Sequence, residues 1–148
     1  MTTAMTDIKP ITILIVEDDE VDMMSVRRVL RGLKIANPKV HVKDGVEALN
    51  FMTGRAGFEK ITTEVLVLLD LNMPRVNGLE FLDALKSESN LPPHSIYVLT
   101  TSDADTDIVQ AHKRDIAGYV LKSHLKEGLA EIFKNLRSNY WSVLGARI

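Results

Sequence analysis

Three stretches of this sequence are apolar without a break: ILIV at Ile13 to Val16, VLVLL at Val65 to Leu69, and IYVL at Ile96 to Leu99. A strand with one wet face alternates apolar and polar residues. Unbroken short runs predict strands covered on both faces, as in parallel sheets. The segments between them carry a different period. Val26, Val29, Leu30 and Leu33 recur at helical spacing over 21–33; Leu79, Phe81, Leu82 and Leu85 mark a second helix of this kind, and Leu129, Ile132, Phe133 and Leu136 another over 126–139. Shorter elements complete the pattern: a strand over 40–43, a helix over 46–52 opened by Asp44-Gly45, a helix over 104–114 and a strand over 118–121. Gly32, Asn37-Pro38 and Pro92-Pro93 punctuate the connections. Residues 54–64, with two glycines, form a connection longer than usual. Strand and helix thus alternate five times. That order predicts a doubly wound α/β fold, with five parallel strands, right-handed crossovers and helices on both faces.

The remaining composition narrows the function classes. A chain of 148 residues suits one domain, here 1–148 with a core over about 11–139 and a C-terminal extension over 140–148. A net charge of -2 provides no basic field for nucleic acid or anionic lipid. The absence of cysteine removes disulfides, thiol catalysis and thiolate metal sites, and it fits a reducing compartment. No apolar run approaches the roughly 18 residues of a membrane span, and Met1 to Pro10 has no signal-peptide core. The expectation is a cytoplasmic protein without nucleic-acid or membrane partners.

In an open parallel sheet, ligands bind beyond the carboxyl ends of the strands. Those ends hold Glu17-Asp18-Asp19, Asp70, Thr100-Thr101 and Lys122. The stretch Glu17 to Asp22 has five acids in six residues. Its bland reading is a negative first turn favoured by the helix dipole. Asp70, however, should reach the same edge from a neighbouring strand. Carboxylates that close repel, and one takes up a proton unless a cation sits between them. Mg²⁺, a hard ion that accepts a few carboxylates, water and phosphate, suits such a site. Acids with Mg²⁺, a hydroxyl and a lysine make a phosphoryl-transfer set, in which Asp70 can act as the nucleophile and form an aspartyl phosphate. The bland alternatives are a surface role for Lys122 and plain β propensity for Thr100.

The segments LIVEDDE (Leu14 to Glu20), LLDLNMPRVNGLEFL (Leu68 to Leu82), YVLTTS (Tyr97 to Ser102) and GYVLK (Gly118 to Lys122) together resemble the receiver domain of two-component response regulators. They are spread in order over nearly the whole chain. The resemblance implies a flavodoxin-like sheet of order 2-1-3-4-5. It implies that Asp70 is the phosphoacceptor, that Asp18 binds the metal directly and Glu17 through water, and that Asn72 offers its backbone carbonyl. It further implies that Thr100 is the switch hydroxyl, that Lys122 pairs with the phosphoryl group, and that Tyr119 is the aromatic residue coupled to the switch. Asp19 is left as a structural acid. The family usually has proline after the lysine, often with a cis bond; Ser123 stands here, and a cis bond before a non-proline residue costs roughly 3 kcal/mol. Thr101 stands where the family often has a smaller residue, and Asn72 and Ser102 fall at positions that tune phosphoryl lifetime. The local wording is similar to that of small regulators paired with bacterial and cyanobacterial phytochrome kinases, which implies a light-sensing histidine kinase as donor.

Because no further domain follows before Ile148, the expected output is a partner surface or self-association. The resemblance favours a homodimer through the face of the fourth helix, fifth strand and fifth helix, together with the C-terminal extension. Tyr140 and Trp141 either cap the core or anchor that interface. The four histidines show no metal-ligand spacing, and Met23-Met24 reads as core and surface. A haloacid-dehalogenase-type phosphatase would need an aspartate at position 72, where Asn72 stands. A dinucleotide-binding domain would need a glycine-rich turn after the first strand, where the acids stand. The remaining alternative is a pseudo-receiver that binds partners without being phosphorylated; such proteins usually lose the acidic pair, the acceptor or the lysine, and all are present here.

Overall fold

A computed structural model of the chain describes residues 10–71, 77–101 and 106–137. Its elements run β1 (Thr12–Val16), α1 (Glu20–Gly32), β2 (Lys39–Val42), α2 (Gly45–Thr53), β3 (Val65–Asp70), α3 (Gly78–Lys86), β4 (His94–Thr100), α4 (Thr106–His112), β5 (Gly118–Leu121) and α5 (Leu125–Arg137), with one 3₁₀ turn at Lys122–His124. All neighbouring strands pair in parallel, in the order β2-β1-β3-β4-β5. This is the flavodoxin-like arrangement that the family resemblance implies.

The unbroken apolar runs are explained by two cores, one on each side of the sheet. On β1, Ile13 and Ile15 pack with Met23, Val26 and Leu30 of α1 and Leu129, Ile132 and Phe133 of α5. Leu14 and Val16 point the other way, into a cluster with Phe51 and Met52 of α2 and Phe81, Leu82 and Leu85 of α3. Each such side chain, fully buried, contributes about 1.5–3 kcal/mol. None of the described helices is long and apolar enough to cross a membrane.

Three helices begin with a cap read from a single side chain. Asp19 accepts a hydrogen bond from the Asp22 N–H at 2.9 Å, and Asp44 accepts one from the Glu47 N–H at 2.9 Å. Asn77 and Glu80 bond reciprocally to each other's backbone N–H, which fixes the start of α3. These caps place the helix starts just beyond β1, β2 and β3. Two glycines permit close approach. A Cβ at Gly78 would lie 2.7 Å from Leu71 Cα, and one at Gly128 would collide with Val120 Cγ1. The first lets α3 fold back on the end of β3; the second lets α5 lie against β5.

Element limits differ from the sequence reading by a residue or two. β3 includes Asp70, which pairs in register with Leu99, so the carboxylate belongs to the ladder and not to the loop after it. The helix expected over 104–114 is described from Thr106 and ends at His112, because the chain turns at Arg114 and Asp115 adopts a φ of 62°. The last helix is described as far as Arg137. Asn72, Ser102, Tyr140 and Trp141 lie outside the described residues.

Candidate functional site

The carboxyl edge of the sheet gathers the acids as the strand ends require. Glu17 follows β1 directly and is wholly buried, while Asp18 is exposed and Asp70 is 5% exposed. One carboxylate oxygen of each lies within 4.8 Å of those of the other two. The backbone around Glu17 is fixed on both sides: its N–H donates to Val42 O at 3.1 Å, and its carbonyl accepts a hydrogen bond from His41 Nε2 at 2.7 Å. The Asp19 N–H donates to Glu17 Oε2 at 3.3 Å. The other oxygen, Oε1, is buried and accepts no hydrogen bond among the described residues. Lys122 Nζ lies 3.3 Å from it in an ion pair.

Lys122 serves three acids at once. Its Nζ lies 2.8 Å from Asp22 Oδ2, 3.3 Å from Glu17 Oε1 and 3.5 Å from Asp70 Oδ2. Burial alone would lower its pKa; the hydrogen bond to Asp22 and the charges of Asp70 and Glu17 outweigh that and push it up, so the lysine stays charged. For Glu17 the balance runs the other way. Burial, then a hydrogen bond and charge repulsion from Asp70, push its carboxyl up to about 8, with Lys122 and the Asp19 N–H offsetting only part. One lysine is therefore insufficient for the acids it meets. A buried oxygen without a hydrogen bond, beside two further carboxylates and a carboxyl held back from ionising, fits a hard divalent cation.

Thr100 ends β4, is 6% exposed and pairs in register with Leu121, the residue before Lys122. Tyr119 lies on β5, 40% exposed as a residue, with its ring edge-on to His112 at 6.0 Å between centroids. Thr101 is exposed. No described peptide bond is cis. With Ser123 in place of proline, the Lys122–Ser123 bond is trans and the chain passes straight into the 3₁₀ turn. The structure thus brings Glu17, Asp18, Asp70 and Lys122 together and puts Thr100 and Tyr119 on the two strands beside them. Asn72 falls outside the described residues.

Two participants were not singled out from sequence. Asp22 provides the shortest contact of Lys122, and His41 holds the Glu17 carbonyl. A signal existed for Asp22, which sits in the acidic run one helical turn after Asp18. For His41 there was none, since the contact depends on which way a β2 side chain turns.

This fold, with its acids, hydroxyl and lysine at the carboxyl edge, defines a receiver-type domain. The response regulator receiver domain family matches residues 13–134, and the chain belongs to that family. Among its relatives are small regulators linked to phytochromes. The chain is 30% identical to the bacteriophytochrome response regulator RtBRR, with a TM-score of 0.78, covering 93% of this chain and 82% of that one. It is 30% identical over 132 residues to the response regulator Rcp1 of Synechocystis sp., covering 89% of each. A two-component response regulator from Legionella pneumophila is 34% identical with a TM-score of 0.75, covering 86% of this chain and 98% of that one.

Proposed function

We propose that this receiver accepts a phosphoryl group on Asp70 from the phosphohistidine of a sensor histidine kinase, in a Mg²⁺-dependent reaction. The observation that carries the reading is the convergence of Glu17, Asp18 and Asp70 oxygens within 4.8 Å, with Lys122 Nζ 3.5 Å from Asp70. An Asp70 carboxylate oxygen attacks phosphorus. The phosphorus–nitrogen bond of the donor breaks, and its electron pair stays on the imidazole. Glu17, Asp18 and Asp70, with the Asn72 carbonyl, are the groups that would hold the cation. When bound, the cation neutralises charge on the phosphoryl oxygens. Lys122 pairs with one of those oxygens and Thr100 donates to another.

A phosphoryl group adds charge and strong acceptor oxygens that only one state of the protein can satisfy. Movement of Thr100 toward it changes the room available to Tyr119 on the neighbouring strand, and so resets the face formed by α4, β5 and α5. We infer a cytoplasmic regulator that self-associates through this face. A phytochrome-type kinase as donor is supported by the similarity to RtBRR, a bacteriophytochrome response regulator, over 93% of this chain. A metal at the acids is supported by the Mn²⁺-bound form of Rcp1, a structure 28% identical with a TM-score of 0.70.

Intact mass measured after incubation with Mg²⁺ and a small acyl phosphate tests the reading. One phosphoryl adduct is expected on the wild type and none on D70N or in EDTA. An unmodified wild type under all conditions would overturn it in favour of a constitutive binding module.

A further inference from the structure

Three acids of the run after β1, Asp19, Glu20 and Asp22, have no part in the chemistry above, and one of them reaches the site. Asp22 is fixed in the first turn of α1, where its N–H donates to the capping carboxylate of Asp19 at 2.9 Å. Its own carboxylate turns into the site and accepts a hydrogen bond from Lys122 Nζ at 2.8 Å across a separation of 100 positions. Asp22 is not among the three acids whose oxygens converge. The lysine is therefore bonded to the acid outside the set, and stands 3.3 and 3.5 Å from the two inside it. A lysine seated fully between Glu17 and Asp70 would neutralise the very oxygens that a cation needs. Beside it, between Glu17, Asp22, Ser25 and Lys122, lies a cavity of about 50 Å³, more than the roughly 10–15 Å³ that one water requires. The lysine arm has room to shift.

We propose that Asp22 is a positioning residue for Lys122: it draws the ammonium to the rim of the acidic cluster, leaving the Glu17, Asp18 and Asp70 oxygens to the cation and the lysine within reach of the phosphoryl group. This rests on the reading of the site as a cation-dependent phosphoacceptor. Without Asp22, Lys122 sinks toward Glu17 and Asp70 and competes with the metal.

The test is calorimetric titration of Mg²⁺ into the full chain. D22N should bind about five- to tenfold more weakly, because the lysine then opposes the metal at short range. E20Q removes the same charge from an exposed position with no ion pair to Lys122, and should change affinity by less than about twofold at physiological salt. D22E, which keeps the carboxylate, should recover most of the loss. In a K122Q background, D22N should shrink to the size of E20Q. Equal losses in D22N and E20Q, or a D22N effect that persists in K122Q, would overturn the proposal. A wild type that takes up no Mg²⁺ would overturn the reading of the site instead. The contact is then judged without metal, by a double-mutant cycle of D22N and K122Q under urea in EDTA. A coupling of at least about threefold in the unfolding constant supports it, and additivity overturns it.

Discussion

Glu17 is the residue at which folding and chemistry conflict. Its carboxyl is wholly buried, backed by Asp70 and served by a lysine that it shares with two other acids. Its pKa rises from 4.5 in an ordinary setting to about 8 in the fold. Between those values the folded protein holds a proton that the unfolded chain has released. Stability in the absence of metal therefore falls as pH rises through that window, and the full penalty is present above it. A divalent cation at the site reverses the sign, since binding expels the proton and is favoured by high pH. We expect calorimetry in EDTA to show Tm falling by at least about 3 °C from pH 5.5 to pH 8.5, where each kcal/mol moves Tm by roughly 2–4 °C for a chain of this size. Mg²⁺ should remove most of that fall, and E17Q should flatten the EDTA profile. A wild-type Tm that stays level or climbs in EDTA would mean that Glu17 is already ionised in the metal-free fold.

At the scale of elements, the packing of α5 on β5 depends on one missing methyl. A Cβ at Gly128 would collide with Val120 Cγ1 and lie 2.9 Å from its Cγ2. Alanine gains about 0.8–1 kcal/mol in helix propensity, but overpacking costs about 1–3 kcal/mol, and with so short a contact the overpacking wins. G128A should lower stability by about 1 kcal/mol in urea, by that balance. V120A combined with G128A should be more stable than the sum of the single changes predicts, because the methyls no longer collide. Additivity would show that α5 shifts freely. The cap of α1 is simpler: D19A should cost about 1 kcal/mol and loosen Asp22 with it. The elements themselves were legible because period and burial agree. ILIV, VLVLL and IYVL could only be strands covered on both sides, and the acids that end them could only gather at one edge. The register of Asp70 within β3 was less legible, since a strand limit depends on pairing with Leu99, which one sequence segment does not contain. Which acid holds Lys122 was not legible at all. Asp22 and Lys122 lie 100 positions apart, and their contact is decided by rotamers across the end of the sheet.

For the whole molecule, the strand order sets which surfaces are free to meet partners. Among the described residues β5 is an edge strand with β4 as its one neighbour, and α4 meets this edge through the His112–Tyr119 ring contact. Two large apolar side chains are exposed there, Val109 at 54% and Tyr119 at 40%. A second exposed pair, Val21 at 71% and Met24 at 58%, lies three residues apart on one face of α1, beside the acids. Exposed apolar groups cost little singly, but two separate pairs offer two separate contacts. The donor proposed above would have to bring its phosphohistidine to Asp70, and the exposed pair on α1 borders the acids there. The proposed self-association through α4, β5 and α5 would use the other exposed pair, Val109 and Tyr119. The two functions should therefore separate by mutation. A glutamate in the middle of an apolar interface, with no partner charge, costs about 2–5 kcal/mol, or roughly 30-fold or more in affinity. M24E should thus slow transfer from the kinase at least about tenfold, while phosphorylation by a small acyl phosphate, which needs no docking surface, proceeds as in the wild type. V109E should abolish dimers in sedimentation at micromolar concentration and leave kinase transfer intact. If V109E impaired transfer and M24E did not, the donor would dock on the α4–β5 side. The face assigned to self-association would then be the input surface.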